Sequence, residues 1–282
     1  MRKKTSIFIT MFLSVILLLA GCGTKESGSS ATPGTSEKKE TFKIGLEAGY
    51  APFNWTQLDD SNGAVKLDGN AEYAGGYDVE IAKRIAADLG KELVIVKTEW
   101  DGLVPALVSG KIDAIIAGMS PTEERKKTID FSENYYTSQF VMVVKKGGAY
   151  ENATSIQDFK GAKITGQLNT SHYMVIDQIE GVIQQPAMDN FAAMRVALES
   201  GVIDGYVSER PEGISTSASN DKFVMIEFKD GFVADEEDTA VAVGLKKGSE
   251  LTEQINKTLA SISEEERQTI MDNAIKTQPA AE

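Results

Sequence analysis

A change of apolar period, repeated from residue 41 to residue 116, constrains this chain more than any other feature it carries. Phe42, Ile44 and Leu46 alternate with Lys43 and Gly45, the period of a strand, and the run breaks at Gly49-Tyr50-Ala51-Pro52. Asp78 then opens a stretch in which Val79, Ala82, Ile85, Ala86 and Leu89 recur at helical spacing, with Asp78 as the expected cap and Gly90 as the stop. A β-rich run, Leu93 to Val96, precedes a second helix from Asp101 to Ser109, closed by Gly110, and a buried strand at Ala114-Ile115-Ile116. Strand, helix, strand, helix, strand is the order of a parallel sheet, because strands that run the same way need a crossover, usually a helix. Between the first strand and the first helix, the polar stretch Thr56 to Gly76 contains Asp59-Asp60-Ser61-Asn62-Gly63 and predicts an excursion with a hairpin.

The order repeats further on. A strand is expected over 140–145, another over 162–165, a helix over 172–180, a capped helix from Asn190 to Ser200 and a strand over 204–208. The pattern predicts an α/β protein of two lobes. Toward the C-terminus Leu251, Ile255 and Leu259 share one helical face, and Ser263 with Glu266 forms a capping box that opens a last helix. No repeat of solenoid period is present.

The N-terminus predicts a compartment. Arg2, Lys3 and Lys4 precede an apolar run from Ser6 to Ala20, which reads as a signal peptide over 1–21. Leu19-Ala20-Gly21-Cys22 resembles the bacterial lipobox. That resemblance implies that Cys22 becomes the first mature residue and carries a lipid anchor on the extracytoplasmic face of the cell membrane. Cys22 is the only cysteine, so no internal disulfide can form. Residues 22–40 continue in Gly, Ser, Thr, Lys and Glu, a composition of flexible tethers. Loss of three of the 29 basic residues with the leader leaves 26 against 42 acidic ones, a net charge of −16. Such acidity excludes nucleic acid as an expected partner and favours solubility.

Several stretches carry a resemblance to one family. They are Ile44-Gly45-Leu46-Glu47 with Tyr50-Ala51-Pro52-Phe53, Gly76-Tyr77-Asp78-Val79, Trp100 to Leu107, Ala117 to Arg125, Ile129 to Ser132 and Tyr135-Tyr136. Together they resemble the polar amino-acid-binding proteins of ABC importers, the group with glutamine-, histidine- and lysine/arginine-binding members. The resemblance implies the type II periplasmic-binding-protein fold, hinged, with lobe 1 over 41–136 and 229–282 and lobe 2 over 137–228. The chain would cross near Thr137 to Gln139 and return near Ile226 to Phe228.

The residues have a chemistry of their own beside this likeness. Gly118 to Ser120 follow a buried strand, so backbone N–H groups there are expected to be free for a ligand at the carboxyl edge of the sheet. By spacing alone Arg125 is one charge in the solvated run Glu123 to Lys127; the resemblance makes its planar fork the clamp for an α-carboxylate. A buried α-ammonium needs an acceptor, and Glu209 stands where the family has an acid, usually aspartate. Thr170 and Ser171 match the segment of lobe 2 that closes on the carboxylate, with Gln167 toward the ligand side chain. Tyr50 and Trp100 match the sandwiching aromatics, with Phe53 assigned to the core, and Glu47 matches the acid that reads a distal polar group. His172, the only histidine, is expected to start a helix and not to bind ligand.

These residues imply a protein that takes up one free polar or basic amino acid (Arg, Lys, His or Gln) and hands it to a permease with ATPase subunits. No catalysis, cofactor or metal is expected, and a monomer is. Two alternatives stand beside it, a dehydratase-like cleft enzyme of the same fold and an extracellular sensor domain. Against the enzyme stand the lone histidine, the lone cysteine and the lack of a phosphate loop. Against the sensor stands the lack of any membrane-spanning or signalling segment after residue 40.

Overall fold

The structure is a computed structural model that describes residues 39–279. The expected leader, Cys22 and all but the last two tether residues lie outside the described residues.

Along the chain, β1 (Thr41–Leu46) is followed by the short strands β2 (Gly49–Tyr50), β3 (Asn54–Gln57), β4 (Val65–Lys66) and β5 (Tyr73–Gly75). Next come α1 (Tyr77–Asp88), β6 (Glu92–Lys97), α2 (Leu103–Ser109), β7 (Ala114–Ile115), α3 (Glu123–Lys126) and β8 (Asp130–Thr137). The second lobe holds β9 (Phe140–Lys145), β10 (Lys163–Thr165), α4 (Ser171–Met174), β11 (Ile183–Gln184), α5 (Phe191–Ser200), β12 (Gly205–Glu209), α6 (Arg210–Ser219) and β13 (Phe223–Ile226). The chain ends with α7 (Glu236–Thr239), β14 (Ala240–Leu245), α8 (Thr252–Ser261) and α9 (Glu264–Thr277).

The first sheet has the order β6-β1-β7-β14-β8, parallel across β6, β1 and β7 and antiparallel where β14 meets β7 and β8. Alternation in β1 does what the pattern promised: Phe42, Ile44 and Leu46 are fully buried, each contributing about 1.5–3 kcal/mol. The second sheet has the order β11-β10-β12-β9-β13. The polar excursion forms a four-stranded antiparallel patch, β2-β3-β5-β4, as expected of hairpins.

Helix ends mostly follow their signals. Gly90 and Gly110 take positive φ after α1 and α2, and Asn190 Oδ1 accepts from Ala193 N at 2.9 Å. Asp78 does not cap α1. The cap position is Gly76, at φ 123°, where a Cβ would stand 2.3 Å from the Phe53 carbonyl oxygen and only glycine fits. Asp78 instead turns inward and accepts from Asn54 Nδ2 at 2.8 Å and from Tyr135 Oη at 2.7 Å. The helix expected over 172–180 is shorter: α4 is one turn and passes into a 3-10 turn at Val175–Gln178. Two consecutive β-branched residues, Val175 and Ile176, weaken helix propagation there, and Ile179 is already extended.

Strands β8 and β14, which the alternation did not single out, pair along their length and carry the chain between lobes. Thr137 faces Ala240, and Ser138 N donates to Thr239 O at 3.0 Å, so the two crossings run side by side. The return lies later than Ile226 to Phe228. Phe228, Phe232 and Ala234 still pack on the core of the second lobe, and Gln178 is bonded to both backbone groups of Val233. Segment 235–239 therefore makes the return, and β14, α8 and α9 complete the first lobe.

Candidate functional site

The two sheets present their edges to a common cleft, and nine of the ten residues singled out in the sequence line one cavity there. Tyr50, Trp100, Gly118, Ser120 and Arg125 come from the first lobe, and Gln167, Thr170, Ser171 and Glu209 from the second. The tenth, Glu47, directly follows β1 and joins the group through a hydrogen bond from Gln167 Nε2 at 3.0 Å.

Arg125 rises from α3, whose cap Thr122 accepts from the Arg125 backbone N–H. Its fork donates to Ser120 O and, across the cleft, to Asn169 O, both at 2.8 Å, while its guanidinium carbon lies 5.0 Å from the Trp100 ring centroid. Burial lowers its pKa to about 10, and the charges of Asp238 and Glu209 oppose that shift. Arg125 thus remains a cation at neutral pH.

Glu209 ends β12 and is 1 % exposed. Its Oε1 lies 3.3 Å from His172 Nε2, and its Oε2 has no hydrogen-bond partner. The β12–α6 turn just beyond it is held by Glu212, which is fully buried and accepts from Tyr206, Ser208 and Thr216 and pairs with Arg195. That network fixes the backbone from which Glu209 projects.

Glu47, 8 % exposed, has its pKa raised to about 7. Burial is the main cause, countered by the bond from Gln167; the charge of Glu99 adds to the rise and that of Arg195 opposes it. Gln167 also donates to Asp189 O at 3.1 Å, and Thr170 Oγ1 donates to Gln167 O at 2.7 Å, which orders the segment after β10. Ser171 Oγ donates to Asp238 Oδ1 at 2.7 Å.

Two of the expected ligand groups meet protein partners in this structure. Tyr50 does not offer an open ring face: it is stacked between Phe53, at 5.0 Å, and Phe191 of the second lobe, at 4.5 Å. Aromatic offset stacking favours that arrangement once the lobes meet. Nor is the Gly118 N–H free, since it donates to Tyr135 Oη at 3.3 Å, and Tyr135 Oη in turn donates to Asp78. Gly118 itself sits at φ 63°, where a Cβ would stand 2.7 Å from the Tyr50 ring, so glycine is required for close approach.

Three further residues stand at the site: His172 and Asp238 line the cavity, and Phe191 stacks on Tyr50. His172 is 6 % exposed and lines the same cavity, contrary to the expectation that it only starts a helix. Its position next to Ser171 was the available signal. Asp238 lies in the acidic run Asp235 to Asp238, which reads as solvated surface, and Phe191 follows a helix cap, which reads as core; neither had a signal.

Toward solvent the cavity opens into a cleft of about 550 Å³, rimmed by Glu123, Glu124, Asp235 and Glu237. The enclosed part is only about 10 Å³, the room of a single water, so any larger solute requires the lobes to part.

A two-lobed α/β body with a charged, enclosed cleft between its sheets matches known proteins. The family model described as bacterial extracellular solute-binding proteins, family 3, covers residues 42–276. The chain belongs to that family. The arginine-binding extracellular protein ArtP of Bacillus subtilis is 29 % identical over 278 residues, 93 % of this chain and 93 % of that protein. A probable histidine-binding protein of Campylobacter jejuni is 32 % identical over 225 residues, 79 % of this chain and 80 % of its own. An amino acid ABC transporter substrate-binding protein from Streptococcus pneumoniae, solved bound to L-arginine, superposes with a TM-score of 0.74 at 26 % identity, covering 84 % of this chain and 94 % of that one. The fold of this family 3 protein is thus the two-lobed type II periplasmic-binding-protein fold. No described helix is long and apolar enough to cross a membrane.

Proposed function

We propose that this family 3 solute-binding protein captures one free polar or basic amino acid for an ABC importer, with Arg125 on the α-carboxylate, Glu209 on the α-ammonium and Glu47 on the distal side-chain group. One observation carries the reading: a half-buried cation and a buried anion from opposite lobes line the same cavity, and an oxygen of the anion is left without a hydrogen-bond partner in good geometry. A zwitterion supplies an ammonium to the unpartnered Glu209 oxygen and a carboxylate that can take over the Arg125 fork from the backbone carbonyls of Ser120 and Asn169. Each charge buried without a partner is costly, so the ligand completes closure by charge-assisted hydrogen bonds. Relatives named as arginine- and histidine-binding proteins agree with an acid at position 47.

In this reading the lobes hinge at 137–139 and 235–239, opening to admit ligand and closing on it. The protein is a binding component without catalysis, it acts as a monomer, and it presents its closed form to a permease. Cys22, in its lipobox-like setting, tethers it to the outer face of the membrane. Calorimetric titration of residues 24–282 against the twenty common amino acids tests the assignment. The wild type is expected to bind one of Arg, Lys, His or Gln best, and Arg125→Ala or Glu209→Ala to lose about 2–5 kcal/mol, roughly 30- to 5000-fold, while keeping the wild-type circular dichroism spectrum. An Arg125→Ala protein with wild-type affinity would sink the clamp and return the cleft enzyme to consideration.

A further inference from the structure

His172 stands inside the cleft with no role in the clamp just described. α4 carries it in beside Ser171, and it packs edge-on to Phe140, with ring centroids 5.3 Å apart, and to Phe191, at 6.1 Å. Nothing about this apolar packing needs an imidazole. Its Nε2 nonetheless lies 3.3 Å from Glu209 Oε1, and neither ring nitrogen has a hydrogen-bond partner in good geometry. Tyr50 Oη, which lines the same cavity, also lacks a partner in good geometry, and after burial it is the Glu209 charge that most raises the Tyr50 pKa. Three buried polar side chains without full partners therefore meet at the oxygen atoms expected to receive the ligand's ammonium.

The charged and titratable groups around His172 come from every neighbouring element. Glu209 stands at the end of β12, Tyr50 in β2, Arg125 in α3 and Asp238 in α7, all on the same cavity, and Asp78 of α1 acts on the Glu209 carboxylate from within the first lobe. Of these, Glu209 is the one within ion-pair distance of the ring.

We propose that His172 is a positioning residue of the ammonium subsite, which as a neutral imidazole donates from Nε2–H to Glu209 Oε1 and leaves Oε2 to the ligand, and which as an imidazolium competes with the ligand's ammonium, so that amino acid affinity falls on acidification. The inference rests on the assignment of Glu209 to the α-ammonium. The sign follows from linkage. A ligand cation placed against Glu209 disfavours a second cation beside it, so binding expels the His172 proton, and added protons expel ligand to the same degree.

His172 is the only histidine in the chain, so a tag-free protein gives one imidazole Cε1–H resonance in an NMR titration. We expect its apparent pKa to be lower with saturating L-arginine than without; an unchanged titration curve overturns the proposal. Calorimetry with L-arginine from pH 8 to pH 5.5 gives the second readout, in the Glu47→Gln background so that Glu47 does not titrate. There the affinity is expected to fall on acidification by up to tenfold per pH unit, the limit for one linked proton, and the further change His172→Gln is expected to flatten the profile. Gln donates to Glu209 without titrating, so His172→Gln is expected to bind more tightly at pH 8 than His172→Leu, which is expected to bind less well than the wild type at every pH. A slope left undiminished by His172→Gln refutes the inference. Glu209→Gln separates the two levels: if that protein binds L-arginine as the wild type does, the ammonium assignment itself has failed, whereas loss of its binding at all pH values with a flat profile in the Glu47→Gln background removes His172 alone.

Discussion

Replacing Glu47 by Gln removes one charge from the cleft and almost no volume, and its effect should depend on which amino acid is present. Burial lifts the Glu47 pKa from 4.5 to about 7 in the closed structure, a shift of about 2.5, so the ionised form costs about 3 kcal/mol there relative to water. Because this folded-state pKa is raised, the stabilisation of the closed lobes is fully present below about pH 4.5 and is lost as pH rises through about 7. A guanidinium or ammonium reverses this by holding the carboxylate ionised, so arginine should bind with proton release and more tightly as pH rises through 7. Charge-assisted hydrogen bonds contribute about 1.5–3 kcal/mol and neutral ones about 0.5–1.5 kcal/mol, so Glu47→Gln should shift the arginine-to-glutamine affinity ratio by about 1–1.5 kcal/mol, roughly tenfold. The amide oxygen that replaces the carboxylate can still accept from Gln167, so the contact between lobes is retained. Calorimetry at pH 7.5 with L-arginine and L-glutamine on both proteins measures the ratio directly. Equal losses for the two ligands would refute the reasoning, because a residue that reads the distal group cannot affect a cation and an amide alike.

Three other outcomes are expected. Small-angle scattering should show the wild type contracting on ligand addition, and Arg125→Ala should fail to contract at ligand concentrations that saturate the wild type; normal contraction would contradict the clamp. Cys22→Ser should leave binding intact but release the protein from membranes or leave it unprocessed, and a processed, membrane-bound variant would contradict the anchor. Asp78 is fully buried with its pKa raised to about 7, mainly by burial, while bonds from Tyr135 and Asn54 oppose the rise. Its contribution is present below about pH 3.8 and lost as pH rises through about 7. Asp78→Asn can still accept from Tyr135, and its amide can meet the unpartnered Asn54 Oδ1 once that side chain turns. Melting temperatures of wild type and variant should therefore diverge in favour of the variant from pH 5 to pH 8, and a constant gap would count against the buried charge.

Much of the fold was legible because it is written in local periods. The alternation of β1, the helical spacing of α1 and the glycine stops at Gly90 and Gly110 each depend on a few adjacent residues, and each appears where expected. Strands β8 and β14 were harder to see because their partners are far apart in the chain; Thr137 meets Ala240, and only that pairing makes either one a strand. The length of α4 was hidden for the same kind of reason. Ile176 and Ile179 are buried in the core of the second lobe, and that packing settles where the backbone leaves the helix.

For the site, residue type and family likeness named most of the side chains that meet in the cleft, because charge and hydrogen-bonding capacity belong to a side chain wherever it lies. What each one touches was decided by tertiary structure. Tyr50 presents a ring by chemistry, yet Phe191, brought from the other lobe, covers the face that a ligand was expected to use. Gly118 carries an N–H that Tyr135 occupies, and His172 becomes part of the site because α4 delivers it to Glu209. The sequence by itself determined the alternating α/β elements and the charges available to the cleft, since both are properties of residues and their near neighbours. Only the tertiary structure decided which of those charges face one another and which stay unpartnered, because partner choice and burial depend on contacts between segments far apart in chain order, as with Gln167 and Glu47, 120 positions distant.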